Sequence, residues 1–302
     1  MKQSMSRRSA LRTITSGTAA LAATAVLPAP LGAAETSADT KLKGNIHHSV
    51  CAWCYSKLFN GKTAKMSFED FCQECAKLGL ESVELLGPDQ WPAAKKAGLT
   101  CAMSNGPDSI NYGWNRLDHH DKLLPKFEEM IPKVAENGFP NIITFSGIRG
   151  GMKDEEGLEN CVTGLKRLMP TAEKYKVTVV MELLNSKKDH KDYMCDHTAW
   201  GAEVCRRVGS ERLKLLYDIY HMQIMEGDLV QNIRDYHQYI GHYHTGGVPG
   251  RNEIDGTQEI NYPAVMKAIL ATGYKGFVSQ EFLPKQPDAL ASLRRCVEIC
   301  DV

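Results

Sequence analysis

Short apolar runs of about five residues recur along most of this chain, separated by longer segments in which apolar residues repeat at three- and four-residue spacing. Runs begin near Ile46, Leu80, Leu99, Asn141, Val177, Leu213, Ile240 and Gly276, and the segment carrying Leu158, Val162, Leu165, Leu168 and Ala172 is typical of what lies between them. Strands alternating with amphipathic helices predict parallel pairing. Eight such units in about 260 residues predict an α/β chain folded as a (β/α)8 TIM barrel. An open doubly wound sheet is the alternative, but no G-x-G-x-x-G or P-loop pattern follows any run.

The repeat starts only after a different kind of segment. Lys2, Arg7, Arg8 and Arg12 are unopposed by acids; an Ala-rich stretch from Ala19 to Val26 follows, then Gly32 and Ala34 at the spacing of a cleavage site. Residues 1–34 resemble a twin-arginine signal peptide, which predicts export to the periplasm; 35–43 read as a polar linker and 44–302 as the barrel domain. Gly17, Thr18, Pro28 and Pro30 dilute the apolar stretch, so no membrane span is expected once the signal is removed. With 36 Lys+Arg against 36 Asp+Glu overall, the remainder is acidic by four charges, which disfavours a nucleic-acid partner. A small-molecule substrate is expected, and a homo-oligomer is compatible with the sequence.

Cys51-x-x-Cys54 and Cys72-x-x-Cys75 have zinc-site spacing. Ser67 and Asp70, however, read as a capping box, and Phe68, Phe71, Cys72, Cys75 and Leu78 then form one apolar helical stripe. Buried thiols are the expectation.

Chemistry in a barrel sits where strands end. Strand five ends in Glu182 and Asn185, strand six in Asp218 with His221 three residues on, strand seven in His242-Tyr-His244 and strand eight in Glu281. A carboxylate closing an apolar run needs a cation or a proton. Three of them with His244 on one rim predict a divalent metal held by Glu182, Asp218, His244 and Glu281. Mg²⁺ or Mn²⁺ suits that oxygen-rich set, with Co²⁺ or Zn²⁺ as alternatives. Strands two and three end in Glu84-Leu-Leu-Gly and Cys101-Ala-Met-Ser-Asn105, without an imidazole.

These stretches, with Met181-Glu-Leu-Leu-Asn185, Tyr217-Asp-Ile-Tyr-His221, Pro249-Gly-Arg251, Glu259-Ile-Asn-Tyr262 and Gln280-Glu281, resemble the xylose-isomerase-like barrel superfamily, in its hydroxypyruvate isomerase and ketose 3-epimerase branch. The resemblance implies that Glu182, Asp218, His244 and Glu281 bind the metal and that His221 and Arg251 contact substrate oxygens. His244 matches the epimerases, where hydroxypyruvate isomerases often carry Gln. Lys188 stands where the epimerases have a second acid; it is read either as a receiver of a substrate carboxylate or as a solvated loop lysine. The implied activity is aldose–ketose isomerisation of a small hydroxy-carbonyl compound, hydroxypyruvate isomerase-like, with Glu182 and Glu281 sharing the acid/base work. The alternatives are a keto-sugar epimerase or lyase and a non-catalytic periplasmic sugar-binding protein. An abasic-site endonuclease needs more histidines than these strand ends supply. A carboxylate-bearing substrate would call on Arg251, Lys188 or Arg149; a neutral keto-sugar would call on aromatic wall from Trp53, Tyr55 and Trp114.

Overall fold

The computed structural model describes residues 41–302. The export signal and most of the linker lie outside them. Seven parallel strands run β1 His47–Cys51, β2 Ser82–Glu84, β3 Asn141–Thr144, β4 Thr178–Glu182, β5 Leu213–Asp218, β6 Ile240–Thr245 and β7 Phe277–Gln280. Their order around the sheet is β2-β1-β7-β6-β5-β4-β3. The run expected to start at Leu99 does not form a regular strand. It closes the ring between β2 and β3 through isolated bridges, Thr100 to Ser82 and Ser104 to both Leu86 and Ile142. Residues 99–104 thus act as the eighth stave.

Strands of this kind, covered on both faces, read as near-continuous apolar runs. Val179, Val180 and Met181 in β4 and Leu215, Leu216 and Tyr217 in β5 are all fully buried. Alternation then sorts the side chains. Met103, Ile143, Val180 and Leu216 form a separate apolar cluster, packed with Leu85 and Phe145. Two residues on from Val180 and Leu216 come Glu182 and Asp218, on the same faces of their strands.

The helices form the outer layer. Phe68–Lys77 starts at the expected capping box: Ser67 Oγ accepts from Asp70 N at 3.0 Å and Asp70 accepts from Ser67 N at 3.0 Å. Phe71, Cys72 and Cys75 are buried on its inner stripe. All ten cysteines are free and buried, and among the described residues Cys51, Cys54, Cys72 and Cys75 do not gather as ligands of one ion. No helix of the described residues is long and apolar enough to cross a membrane.

Candidate active site

The strand-end residues expected as ligands converge. Donor atoms of Glu182, Asp218, His244 and Glu281 all lie within 4.8 Å of one another, and all four residues are buried. They hang from β4, β5, β6 and the residue just past β7, which are neighbours in the ring. Parallel register fixes their depth: Asp218 pairs with His244, and His244 with Ser279, two residues before Glu281. Three carboxylates and an imidazole at these separations can close on one divalent ion with small side-chain movements.

The four are not equivalent. Glu281 is held by three donors: Trp53 Nε1 at 2.9 Å, Arg251 at 2.6 Å and His244 Nδ1 at 3.0 Å. Burial alone would raise its carboxyl, but Arg251 and His244 outweigh it and hold the group well below the usual carboxylate range. Glu182 stands 3.7 Å from His244 Nδ1, beyond hydrogen-bond reach, and burial pushes its carboxyl up. Asp218 caps the following turn, accepting from His221 N at 3.0 Å; burial raises its carboxyl well above normal, although Arg251 stands 3.4 Å away.

One contributor lies on a strand end where the sequence shows no imidazole. Glu84, at the end of β2, is fully buried; its Oε1 accepts from His244 Nε2 at 2.8 Å and His242 Nε2 at 2.9 Å, and its Oε2 from Ser49 Oγ at 2.6 Å. Burial would push this carboxyl up, yet the two imidazoles bring it down to about 2. Glu84 therefore keeps a proton on His244 Nε2 and turns Nδ1 toward Glu182 and Glu281, the nitrogen an ion in this cluster would use. Its signal in the sequence is the same one that marks the other acids, a carboxylate closing an apolar strand.

His221 is fully buried. Its Nδ1 accepts from Asn185 N at 3.1 Å, so the ring hydrogen belongs on Nε2. That nitrogen has no hydrogen-bond partner; Asp218 Oδ2, at 3.7 Å, is too far. Burial holds the ring neutral by pushing its pKa well down. This donor lies beside the cluster, but His221 is not among the residues lining the cavity.

Arg251 reaches the site but is already engaged, donating to Glu281 and Asp218 and lying 5.3 Å and 5.4 Å from the ring centres of Trp53 and Tyr220. Lys188 is exposed and is not among the residues lining the cavity. Asn185 Oδ1 accepts from both Lys188 N and Asp189 N, and the turn so formed presents His190 to the cavity instead. Arg149 is paired with Asp154 at 2.6 Å and Asp196 at 3.0 Å. Of the three aromatics expected as wall, Trp53 lines the cavity, whereas Tyr55 and Trp114 are buried in the core.

That cavity, about 470 Å³, is bounded by Glu182, Glu281, Arg251 and His190, by apolar Leu85, Ile110, Ile143, Phe145 and Leu184, and by Asn105, Gly106 and Asp108. Its size and its mix of apolar wall with few polar groups are those of a small-molecule site.

Comparison with known proteins agrees with this architecture. The chain is 36% identical over 109 residues to the 2-oxo-tetronate isomerase of Cupriavidus necator, covering 36% of this chain and 41% of that protein. It is 44% identical over 78 residues to the hydroxypyruvate isomerase of Escherichia coli, covering 26% and 30%. The aligned segments thus span less than half the length of either relative. The solved D-psicose 3-epimerase of Clostridium cellulolyticum, crystallised with D-tagatose, superposes with a TM-score of 0.66 at 16% identity, over 85% of this chain and 94% of that one, and so shares the fold. Residues 72–298 match the family described as xylose isomerase-like TIM barrel, and since that span is most of the chain, the protein belongs to this family.

Proposed function

We propose that this protein is a metal-dependent isomerase that moves a proton between neighbouring carbons of a small hydroxy-carbonyl compound, the hydroxypyruvate-isomerase type of reaction. The observation that carries the reading is the convergence of Glu182, Asp218, His244 and Glu281 beside a cavity that Glu182 and Glu281 line. The names of the relatives point the same way. Mg²⁺ or Mn²⁺ is the proposed ion. When bound, it supplies Lewis-acid stabilisation of the negative charge that develops on the substrate's oxygens.

The chain's own groups divide the rest of the work. Glu182, without a close donor and with its carboxyl pushed up by burial, is suited to take a proton from the carbon beside the carbonyl and return it to the neighbouring carbon. Glu281, fixed by Trp53 and Arg251, holds its charge and its place; sharing of the proton transfer, as the resemblance implies, would require it to give up one of those donors. The resemblance gives His221 a substrate oxygen as partner; its Nε2 hydrogen is unpaired but buried behind the cavity wall, so that contact requires side chains of the wall to move. Trp53, partly exposed, adds aromatic wall beside Glu281.

Keto-sugar epimerisation is the second reading, because it starts with the same removal of a proton beside a carbonyl, the proton then returning to the opposite face of the same carbon, and because Arg251, the cation in the wall, is committed to two acids. Export through the twin-arginine pathway is proposed on residues 1–34 of the sequence alone.

The test is exchange of substrate C–H hydrogens in D₂O, followed by proton NMR with Mg²⁺-loaded protein, hydroxypyruvate and neutral ketoses. Exchange should stop on chelation and return with Mg²⁺, and Glu182→Gln should slow it by about 10²-fold or more. Absence of exchange from every hydroxy-carbonyl offered, or exchange indifferent to chelator, would overturn the reading.

A further inference from the structure

Isomerisation between neighbouring carbons needs two protons to move. One leaves the hydroxyl-bearing carbon and arrives on the carbonyl carbon; the other leaves the hydroxyl oxygen and arrives on the carbonyl oxygen. Glu182 is suited to the first, whereas the second needs a group that can both accept and give a proton at oxygen. Among the described residues, the ionisable side chains lining the cavity are Glu182, Glu281, Asp108, Arg251 and His190. The two glutamates belong to the ligand set. Arg251 keeps its protons and spends them on Glu281 and Asp218. Asp108 has one oxygen held by Thr144 Oγ1 at 2.6 Å and Phe145 N at 2.9 Å, and the other is buried. His190 remains.

The loop after β4 holds this imidazole in place through its backbone and its neighbours. Asn185 O accepts from His190 N at 3.1 Å, and His190 O accepts from Tyr193 N at 3.0 Å, so the residue is fixed on both sides. Asp189 Oδ2 accepts from Asn185 Nδ2 at 2.7 Å and from the Tyr220 hydroxyl at 2.8 Å, which ties the turn to the ring lying against Arg251. The His190 ring is left half-buried, its centre 5.2 Å from that of His221, and unlike His221 it lines the cavity. Burial, followed by the charge of Arg251, draws its pKa below the ordinary imidazole value. The ring is therefore neutral near pH 7, with one nitrogen carrying a hydrogen and the other open to accept one.

Resting on the reading of this cavity as the site of isomerisation, we propose that His190 is the catalytic residue that moves the hydroxyl proton. As Glu182 takes the proton from carbon, the electron pair of the C–H bond forms the carbon–carbon double bond of an enediolate, and the carbonyl π pair moves onto its oxygen. The open nitrogen of His190 takes the proton from the neighbouring hydroxyl, breaking that O–H bond, and gives it to the former carbonyl oxygen. Glu182 then returns its proton to the former carbonyl carbon while the other oxygen forms the new C=O bond. The substrate keeps every atom, both side chains end as they began, and no oxidant or reductant enters. Oxygens on adjacent carbons are close enough for one nitrogen to serve both. Epimerisation returns the proton to the carbon that lost it and needs no transfer between oxygens, so this role belongs to isomerisation alone.

The test uses the whole Mg²⁺-loaded protein with hydroxypyruvate. In D₂O, proton NMR reads C–H cleavage as loss of the C3 hydrogen signal; carbon-13 NMR of substrate labelled at C3 reads completed isomerisation as tartronate semialdehyde, each corrected for the protein-free rate. His190→Gln and His190→Ala should slow product formation by about 10²-fold while exchange falls far less, so the ratio of exchange to product rises by about tenfold or more. Imidazole added to the Ala variant should restore product formation. Mn²⁺ affinity, by calorimetry, should stay within about twofold of the wild type, because the ring is outside the ligand set. Exchange and product that fall together, or that both stay unchanged, in a folded variant would overturn the inference and leave the reading of the site intact. A matching loss of Mn²⁺ affinity would reduce His190 to a structural part and overturn it too. Wild-type exchange without product would overturn it while leaving proton abstraction in place; a wild type that neither exchanges nor isomerises would overturn the reading of the site and this inference with it.

Discussion

Replacing Glu84 by Gln isolates what a carboxylate outside the ligand set does for the site. The shapes match, and Gln can still present one oxygen to His242 and His244 while its amide faces Ser49 Oγ, where Glu84 now accepts at 2.6 Å. What is lost is charge. The bond from His244 Nε2, 2.8 Å long and made to an ionised acceptor, becomes a neutral one, roughly halving a contribution of about 1.5–3 kcal/mol. The imidazole becomes less basic at Nδ1, and its orientation is held more weakly. Loss of such a partner to a ligating histidine lowers metal affinity by about 10- to 100-fold, or about 1.4–2.7 kcal/mol. The assay is Mn²⁺ titration by calorimetry, with free Mn²⁺ read independently by its paramagnetic resonance signal and folding checked by circular dichroism. A folded Glu84→Gln protein that binds Mn²⁺ within about twofold of the wild type would refute the argument that Glu84 sets the nitrogen His244 offers.

Two other outcomes follow from the same geometry. Lys188 is exposed and outside the cavity wall, so Lys188→Glu should leave KM for acidic and neutral substrates alike within about twofold, and a selective loss for an acid would place it in the site. Asp108 has its carboxyl raised from 3.8 to about 7, so the folded state favours the protonated form, and the stability this contributes is complete below pH 3.8 and lost as pH rises through 7. Urea denaturation at pH 5 and pH 8 should show Asp108→Asn gaining on the wild type with rising pH, by about 3 kcal/mol at most, and parallel losses in both proteins would contradict it.

The ligand set was legible because a charge closing an apolar strand is costly, and Glu182, Asp218 and Glu281 each stand at such an end. The same logic extends to Glu84, but its partners arrive from β6 across the ring, a pairing no local pattern announces. Loops were harder. Counting along the chain draws attention to Lys188, whereas the turn built on Asn185 puts His190 at the cavity. Asp108 lies in a segment whose direction depends on Gly106 passing close to the Ile143 carbonyl, a contact set by tertiary packing. Seven of the eight expected runs became strands. The one near Leu99 is joined to its neighbours only at separate bridges, because Ala102, Met103 and Ser104 sit where the ring closes between two short strands.

That loosely stitched seam divides the labour of the molecule. The four groups able to grip an ion stand at or just past the ends of consecutive hydrogen-bonded strands on one arc, whereas Asn105, Gly106, Asp108 and Ile110 belong to the stretch that shuts the circle. Substitutions along that stretch can therefore redraw what the binding chamber accepts while the reactive arc stays in register, which makes the seam the place for this scaffold to acquire a new diet without relearning its chemistry.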